Sequence, residues 1–546
     1  MNLKPDNQIE KPNQNQIDTF IRTWSEKKNI NGKSFDELFN LDGTPLWWFF
    51  KRFFIAYVMP KQINTFEQMY AGKKLTKTER IKLLASSKIL GKYLEYNETK
   101  KIKNYKTIKG PDYGRALSTG KKVLFITYSN HLDSEGKIFR LQSIIDLIKK
   151  DSKIKEHIVF AEPLSKSGYQ KEIIYSNLYN YLDESISEKA KKSSKEFSTR
   201  WKQIDNKIKF QMIKLDEKSL WPYLKYAFNF FMSQEFLYIL FLYYELTKKM
   251  IETENAEAIV LTSANGLLEK CIMVAANQQG KSCLVIQHGT GKLQENKLPN
   301  PELIGKTKLL VFSEFYKKRY IQSGMKEEDV IIVGPVIFDE IKICENYKKT
   351  GPGNKILFAT SPLVEDNILT KEVYFSRITK ILSDLKTIKD LELILKLHPR
   401  ERNIEQYKKI LTELGYSKTE VVKDISREEF YRLIKECGSF LNLGSTAAME
   451  ACIINRPVVT IDILDFEKTG LQNVKTTFIE DSKATINVNY NGDVAEAVER
   501  SFKDEEEFKE RRKEFVKKIC HKVDGKASER IVDFIYKEIE NRDKNQ

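Results

Sequence analysis

The sequence lacks any uninterrupted stretch of about 20 apolar residues, the length that a membrane-spanning helix needs. Its first 16 residues are polar and contain no apolar core of the kind found in signal peptides. Cysteine is scarce, with six residues among 546 and no C-x-x-C pair. We therefore expect no membrane-spanning helix, no disulfide framework and a reducing compartment, the cytoplasm.

An acidic excess is also absent, because 92 Lys+Arg residues outnumber 76 Asp+Glu residues and leave a net charge of +16. Such a charge favours anionic partners, namely nucleotide phosphates, nucleic acid or an anionic membrane surface. The basic residues are mixed with acidic ones along the chain, as on an ordinary solvated surface. No RNA-recognition signature, zinc finger or compact recognition helix is present, so we expect no nucleic-acid partner.

Two aromatic segments come nearest to a membrane sequence: Leu46–Met59 and Tyr223–Leu246. Charged residues interrupt both of them, which argues against spanning. Two interpretations stay open. Each segment can be an aromatic-rich core helix, or it can lie in the headgroup region and give the protein a peripheral contact with the inner face of the cell membrane.

The rest of the chain predicts an α/β fold with an N-terminal helical region at 1–120. From about residue 121, short apolar runs alternate with helical stretches, as in a parallel sheet with helices on both faces. A long helical insertion is expected at about 165–250. The predicted strands of this first Rossmann-like domain, 121–345, are Val123–Thr127, His157–Ala161, Ala258–Thr262, Cys283–Ile286, Leu309–Phe312 and Val330–Val333.

A Pro/Gly-rich stretch near 346–354 reads as an interdomain linker. The same alternation then restarts and predicts a second Rossmann-like domain at 355–490, followed by charged C-terminal helices at 491–546. Its predicted strands are Lys355–Ala359, Leu391–Leu397, Gly438–Leu443 and Pro457–Ile461. Because ligands of such sheets bind beyond the carboxyl ends of the strands, we expect the two domains to face a shared cleft.

The turn after the strand that ends at Leu443 is a candidate phosphate site. Gly444 allows a tight turn, and Ser445 and Thr446 precede a helix whose N-terminus offers free N–H groups and partial positive charge. Glu450 follows one helical turn later and is a candidate catalytic carboxylate and a candidate contact for a ribose or sugar hydroxyl. The alternative is an N-capped helix whose small residues pack on the sheet.

A second candidate is the sequence K-L-H-P-R at the end of another predicted strand. Lys396, His398 and Arg400 can neutralise a diphosphate there. The alternative is an imidazole that merely binds a loop. We favour the phosphate role because only five histidines occur in the chain.

The first domain offers a third candidate, Gln287-His288-Gly289-Thr290, again at a strand end. His288 can act as a general base toward an acceptor hydroxyl, because an imidazole titrates near neutrality. Gln287, Gly289 and Thr290 would line the acceptor side. The alternative is a structural histidine in a Gly-rich turn. His131 and Asp133 follow the first strand and are weaker cleft-lining candidates, whereas His157 and His521 are expected to be structural or on the surface.

Together these motifs resemble a known group of proteins. The order Q-H-G, then K-L-H-P, then G-S-T-A-x-x-E-A followed by R-P-V-V is similar to GT-B enzymes of surface-polysaccharide synthesis, including the capsule and teichoic-acid polymerases related to CDP-glycerol glycerophosphotransferases. More distantly it is similar to the non-hydrolysing UDP-N-acetylglucosamine 2-epimerases. The resemblance covers about 255–465. It implies His288 as general base, His398 and the Ser445–Thr446 pair as phosphate contacts, and Glu450 as the carboxylate that follows them.

We therefore expect a glycosyltransferase with a nucleotide-activated sugar donor and a glycan or lipid-linked acceptor. No Asp-x-Asp pair stands at a strand end, so we expect no essential metal and no other cofactor. Two alternatives remain on the same fold: transfer of a polyol phosphate and epimerisation of a nucleotide sugar. An alternative of another class is a non-enzymatic protein that binds nucleic acid or a membrane surface.

Overall fold

The structure of the chain is a computed structural model. The residues that it describes are 19–21, 23–54, 96–103, 121–132, 136–138, 140–151, 154–161, 174–215, 218–287, 289, 303–339, 341, 354–366, 368–445, 447–464 and 482–545. The chain divides into two compact units. The first consists of Met1–Ser129, Lys153–Cys283 and Glu302–Thr307, and the second of Asn130–Ser152, Leu284–Pro301 and Lys308–Gln546.

Strands occur throughout the described part of the chain. In chain order they are β1 Asn40–Leu41, β2 Thr44–Pro45, β3 Lys122–Thr127, β4 Lys155–Phe160, β5 Ile174–Asn177, β6 Lys214–Leu215, β7 Lys218–Ser219, β8 Ala256–Leu261, β9 Ser282–Ile286, β10 Thr307–Val311, β11 Val330–Ile332, β12 Lys355–Ala359, β13 Glu392–Lys396, β14 Glu420–Val422, β15 Ser439–Asn442, β16 Val458–Asp462 and β17 Ile486–Asn489.

The α-helices connect and cover these strands. They are α1 Phe35–Leu38, α2 Leu46–Phe53, α3 Gln142–Lys150, α4 Glu184–Gln203, α5 Asn206–Met212, α6 Trp221–Phe231, α7 Gln234–Glu254, α8 Leu267–Gln278, α9 Glu314–Gln322, α10 Lys371–Leu385, α11 Ile404–Glu413, α12 Arg427–Glu436, α13 Ala447–Ile453, α14 Val494–Lys503, α15 Glu506–Cys520 and α16 Ala527–Asn545.

Both large sheets follow the strand order of a Rossmann fold. The seven-stranded sheet has the order β11-β10-β9-β8-β3-β4-β5, and the six-stranded sheet has the order β14-β13-β12-β15-β16-β17. Counted from the first strand of each sheet, both read 3-2-1-4-5-6, and the first sheet adds a seventh strand. The predicted fold class, an α/β protein of GT-B-like type with two Rossmann-like sheets, is confirmed.

Continuous burial explains why the central strands read as apolar runs. Every residue of β3 and β8 is buried, as expected for strands with helices on both faces. In the second sheet, α10 places Tyr374, Ile378 and Leu382 in the core with Leu395 of β13 and Leu441 of β15. These contacts fix the sheet as a rigid support for the turns that follow its strands.

The two aromatic segments form part of one aromatic core in the first unit. Trp47 of α2 is 4% exposed and Phe228 of α6 is 2% exposed. Their rings stack with centroids 5.8 Å apart, and Trp24 meets each of them edge-on at 4.9 Å. Core packing is therefore the correct interpretation for these described rings, which have no face left for a membrane surface. No helix within the described ranges has both the length and the apolar character needed to cross a membrane.

The predicted helical insertion at 165–250 is only partly helical. Within it, β5 pairs in parallel with β4 as the last strand of the first sheet, and β6 and β7 form an antiparallel hairpin. Two further strands, β14 and β17, were also absent from the prediction. The three missed strands of the two large sheets, β5, β14 and β17, are short and partly exposed, so none of them produces a fully apolar run. The strands of the two hairpins, β1 with β2 and β6 with β7, were missed as well.

The C-terminal charged helices are docked within the second unit. Arg512 of α15 is buried, with Nη2 2.7 Å from Asp504 Oδ1 and Nε donating to Asn455. Asp339 accepts hydrogen bonds from the first two amides of α16, at 3.0 Å and 2.7 Å, as a carboxylate at a positive helix N-terminus should. The domain boundaries predicted from the sequence stay predictions.

The aromatic core yields a stability prediction. Phe228→Ala should lower the free energy of unfolding by about 3–5 kcal/mol, because a buried ring that touches several others leaves a cavity. Tyr96→Ala is the control, since Tyr96 is 63% exposed, and it should change the value by less than about 0.5 kcal/mol. Denaturant unfolding followed by tryptophan fluorescence measures both. Equal effects would contradict the assignment of Phe228 to the core.

Candidate functional site

Polar residues gather at the carboxyl edge of the second sheet, by which we mean the turns that follow β12, β13, β15 and β16. The parallel register aligns the ends of these strands, with Ala359 beside Lys396 on one side and beside Asn442 on the other. The strand order reverses between β12 and β15, so the loops after these two strands diverge there. Such a reversal is where open α/β sheets bind their ligands.

Asn442 ties the turn after β15 to the sheet. Its side chain is fully buried. Nδ2 donates to the Val459 carbonyl and to Thr460 Oγ1, both at 3.1 Å, and Oδ1 accepts from the amides of Gly444 and Ser445 at 2.9 Å and 3.0 Å. Every polar atom of this side chain is thus engaged, which satisfies a buried amide and fixes the turn.

These bonds change the expected phosphate contacts in the Gly444 turn. The Gly444 and Ser445 amides already have an acceptor, and Ser445 Oγ accepts from the Ala447 amide at 3.2 Å. Ser445 thus makes a local bond from its side chain to the backbone at the start of α13. Gly444 has a φ of +78°, which favours glycine. Thr446 lies outside the described residues, and a phosphate role for Gly444, Ser445 and Thr446 stays a prediction.

The turn after β13 places His398 at the same edge of the sheet. Its Nδ1 accepts a hydrogen bond from the Arg400 amide at 3.1 Å. In a neutral imidazole the proton therefore lies on Nε2, which makes Nε2 a donor. Burial, followed by the nearby charges of Arg400 and Lys396, lowers the pKa of His398 to about 4. His398 is thus a neutral hydrogen-bond donor at pH 7.

Lys396 supplies positive charge next to this donor. Its Nζ lies 5.0 Å from the centroid of the Phe430 ring, a cation–π contact. Burial lowers the pKa of Lys396, and the opposing attraction comes from Glu450, Glu401 and Asp424. A partly desolvated ammonium at this position interacts more strongly with an anion than an exposed lysine does.

Arg400 and Glu450 already have partners. Arg400 forms a two-pronged pair with Asp366, with one contact at 3.0 Å, so a phosphate would have to compete for its guanidinium. Glu450 is 12% exposed and its Oε1 lies 3.1 Å from Arg427 Nη2. Burial raises the pKa of Glu450, and Arg427 and Lys396 oppose that rise. Their proposed roles in donor binding and catalysis are untested by this geometry.

Arg427 was not identified from the sequence. It begins α12, and its Nη2 donates to the Ile337 carbonyl at 2.7 Å as well as to Glu450 and Tyr431. The ion pair with Arg427 restricts the orientation of the Glu450 carboxylate. An arginine at the start of an amphipathic helix has no sequence signal that distinguishes it from a surface residue.

The candidates of the first sheet are only partly described. Gln287 is 6% exposed; its Nε2 donates to the Gly289 carbonyl at 2.8 Å and its Oε1 accepts from the Phe312 amide at 2.9 Å. Gln287 therefore joins the turn after β9 to the end of β10, and a cleft-lining role stays a prediction. His131 is half-buried in a short turn after β3. His288, Thr290 and Asp133 lie outside the described residues.

His157 has a structural role, as predicted. It is buried in β4, and its Nδ1 lies 3.0 Å from Glu254 Oε2, which also meets Lys122 Nζ at 2.9 Å. Burial acts to raise the pKa of Glu254, but His157, Tyr181 and Lys122 together lower it to about 2. His521 is exposed. Among the described residues, no group of three or more His, Cys, Asp or Glu side chains could hold a metal ion.

The state of His398 predicts a pH effect on stability. Because its folded pKa lies below the ordinary 6.5, its contribution is fully present above pH 6.5 and is lost as the pH falls toward 4. The free energy of unfolding of the wild type relative to His398→Asn should therefore fall between pH 7.5 and pH 4.5. A difference that is constant over this range, measured by urea unfolding, would show that His398 is not held neutral.

One family profile and several solved structures are similar to this chain. The family profile described as UDP-N-acetylglucosamine 2-epimerase matches residues 307–536. The first of three similar solved structures is MnaA of S. aureus with UDP, which is 15% identical, with a TM-score of 0.45 and coverage of 76% of this chain and 96% of its own. The UDP-GlcNAc 2-epimerase of Neisseria meningitidis bound to UDP-GlcNAc is 13% identical, with a TM-score of 0.44 and coverage of 76% and 100%.

The third is the wall teichoic acid polymerase TagF, which is 12% identical, with a TM-score of 0.45 and coverage of 86% of this chain and 99% of its own. No curated protein matches the sequence. The resemblance to the UDP-N-acetylglucosamine 2-epimerases that the motifs indicated is thus confirmed for residues 307–536, which contain the whole second sheet with its carboxyl edge.

Proposed function

We propose that this protein is a glycosyltransferase that takes a sugar from a nucleotide-activated donor and gives it to a glycan or lipid-linked acceptor at the cytoplasmic face of the membrane. One observation carries the proposal. Lys396 and the neutral donor His398 lie together at the carboxyl edge of a Rossmann-order sheet, inside the range that matches a nucleotide-sugar enzyme family.

In this proposal, Lys396 and His398 bind the diphosphate of the donor. His398 Nε2–H donates a hydrogen bond to a phosphate oxygen, and the Lys396 ammonium supplies charge. When the bond between the sugar C1 and the phosphate oxygen breaks, negative charge grows on the departing nucleoside diphosphate. Fixed donors in a partly desolvated site stabilise that charge more than they stabilise the bound substrate, which lowers the barrier.

The acceptor step is assigned to His288. Its imidazole takes the proton of the acceptor hydroxyl while the acceptor oxygen forms the new bond to C1, and the proton later passes to solvent. This role rests on the Q-H-G motif at the end of β9. In the proposal, the positive charge at the second sheet takes the part that a divalent cation plays in metal-dependent sugar transfer, so no metal is invoked.

Epimerisation is the second candidate, because the matching family profile is that of UDP-N-acetylglucosamine 2-epimerases. Both reactions require binding of the same diphosphate, but they differ in their products. Transfer gives a glycosylated acceptor and free nucleoside diphosphate, whereas epimerisation returns an intact nucleotide sugar with one inverted carbon. A protein that only binds nucleic acid or a membrane surface would bind no nucleotide sugar.

Nucleotide binding tests the shared part of the proposal. UDP-N-acetylglucosamine should raise the melting temperature of the wild type, since a ligand specific for the folded state stabilises it. Lys396→Met and His398→Ala should each weaken binding about tenfold or more, as expected for the loss of one charge-assisted contact. Lys409→Met is the matched control, because Lys409 is exposed and pairs with Glu413.

Isothermal titration calorimetry gives the affinities. CDP-, GDP- and CMP-linked sugars serve as further donors in the same thermal screen, so that the choice of base does not decide the result. Absence of binding by all of these nucleotide sugars, or unchanged affinity in both variants, would contradict the proposed site.

Product analysis tests the reaction itself. His288→Ala should abolish turnover and leave nucleotide-sugar binding unchanged, because His288 is assigned to the acceptor and not to the phosphates. With the donor labelled in its sugar, chromatography separates transferred label from an epimerised nucleotide sugar. Retained turnover in His288→Ala would remove its role as base, and an epimer as the sole product would replace transfer by the second candidate.

A further inference from the structure

Glu401 is a buried acid immediately beyond the K-L-H-P-R motif. It is 2% exposed, although a glutamate in a polar turn is normally solvated. Its Oε2 accepts hydrogen bonds from Thr360 Oγ1 and the His398 amide, and its Oε1 accepts one from Tyr407. Acceptor contacts on both oxygens fit the ionised carboxylate, which has no proton to donate.

Glu401 binds both backbone groups of His398. Oε2 accepts from the His398 amide at 2.6 Å, and the Glu401 amide donates to the His398 carbonyl at 3.0 Å. The first bond is the one that the glutamate of a capping box makes to the N-cap amide, and the second closes a four-residue turn. Pro399 occupies the second position of that turn, where its fixed φ is favourable. Both backbone groups of His398 are therefore fixed by hydrogen bonds, which restricts the orientation of the residue.

The other carboxylate oxygen, Oε1, accepts a hydrogen bond from Tyr407, one of two adjacent buried phenols. Burial raises the pKa of Tyr374 and of Tyr407, so both keep their protons and act as donors. Tyr407 donates to Oε1, and the Tyr374 and Tyr407 hydroxyls are 2.9 Å apart. Because Tyr407 donates its single proton to Oε1, the Tyr374 hydroxyl donates to the Tyr407 oxygen or to the Ser361 carbonyl, which lies 3.1 Å away. Rotation of the carboxylate would break bonds at both of its oxygens.

We propose that Glu401 is a positioning residue that fixes the direction and tautomer of His398, so that Nε2–H faces the donor phosphate; the phosphate part rests on the proposed function. Glu401 holds the turn, the turn brings the Arg400 amide to His398 Nδ1 at 3.1 Å, and that bond leaves the proton on Nε2. Glu401 touches no substrate in this scheme and acts through His398.

A purely structural role makes a different prediction. Thr360 follows β12, so Glu401 also connects the ends of two neighbouring strands. If that were its whole task, loss of Glu401 would lower stability and leave the imidazole of His398 unchanged. The tautomer of His398 in the ligand-free protein therefore separates the two roles, and it does so without any assumption about the substrate.

The test is Glu401→Gln in the full-length protein, with ¹⁵N-labelled histidine and NMR of the ring nitrogens. The chain has five histidines, and His398→Gln identifies the signal. In the wild type we expect a neutral ring with its proton on Nε2 at pH 7. A glutamine side chain places an NH₂ group against donors, so in Glu401→Gln the two tautomers should mix and the pKa of His398 should rise toward its ordinary value.

Two further variants complete the design. Tyr407→Phe removes one donor to Glu401 and keeps the ring, so it should shift the tautomer of His398 in the same direction by a smaller amount. This variant replaces Glu401→Gln in the test if Glu401→Gln does not fold. Tyr416→Phe is the control, because Tyr416 donates a partly buried hydrogen bond to the Leu382 carbonyl at 2.8 Å and takes no part in the turn. It should leave the His398 signals unchanged.

Binding of UDP-N-acetylglucosamine provides the second readout. Glu401→Gln should weaken this binding about tenfold, the loss also expected for His398→Ala, whereas Tyr416→Phe should leave the affinity unchanged. Unchanged His398 signals in both Glu401→Gln and Tyr407→Phe would overturn the inference and leave the proposed function intact. If the His398 signals shift in the two variants but the wild type binds no nucleotide sugar, the positioning of His398 by Glu401 is supported and its phosphate role is removed.

Discussion

The carboxyl edge of the second sheet depends on one constraint: backbone amides that leave a buried strand must find acceptors. Two buried polar side chains meet it. Asn442 binds the amides of Gly444 and Ser445 after β15, and Glu401 binds the amide of His398 after β13. Each of these side chains is itself fully engaged with the sheet or its helices. The turns are therefore as fixed as the strands that they follow.

Because these turns are rigid, the polar side chains at the edge keep fixed orientations. His398 is held as a neutral donor and Lys396 as a partly buried cation. In the proposed function, this makes hydrogen bonding and charge available to a phosphate without reorganisation. Glu450, held by Arg427, adds an acceptor beside them. In the proposal, the donor and the cation bind the phosphate oxygens of a nucleotide sugar, and the carboxylate binds its hydroxyls.

The sequence predicts the central strands of the second sheet, but it does not reveal the buried side chains that fix the turns after them. Lys355–Ala359 and Ser439–Asn442 are buried on both faces, so their apolar runs identify them, whereas Glu420–Val422 and Ile486–Asn489 are partly exposed and short. The candidate residues Lys396 and His398 were chosen from the sequence because they lie at the carboxyl end of a predicted strand. Glu401 was missed because an acid in a Pro-containing turn reads as a surface residue, and only its spacing three residues after His398 hints at a capping contact.

The most direct test of the account is a crystal structure with UDP-N-acetylglucosamine bound. The account predicts the diphosphate at the carboxyl edge of the second sheet, with a phosphate oxygen within about 3 Å of His398 Nε2, a normal hydrogen-bond distance, and with Lys396 beside it. A nucleotide bound away from that edge, or a His398 that turns Nδ1 toward the ligand and releases the Arg400 amide, would contradict it.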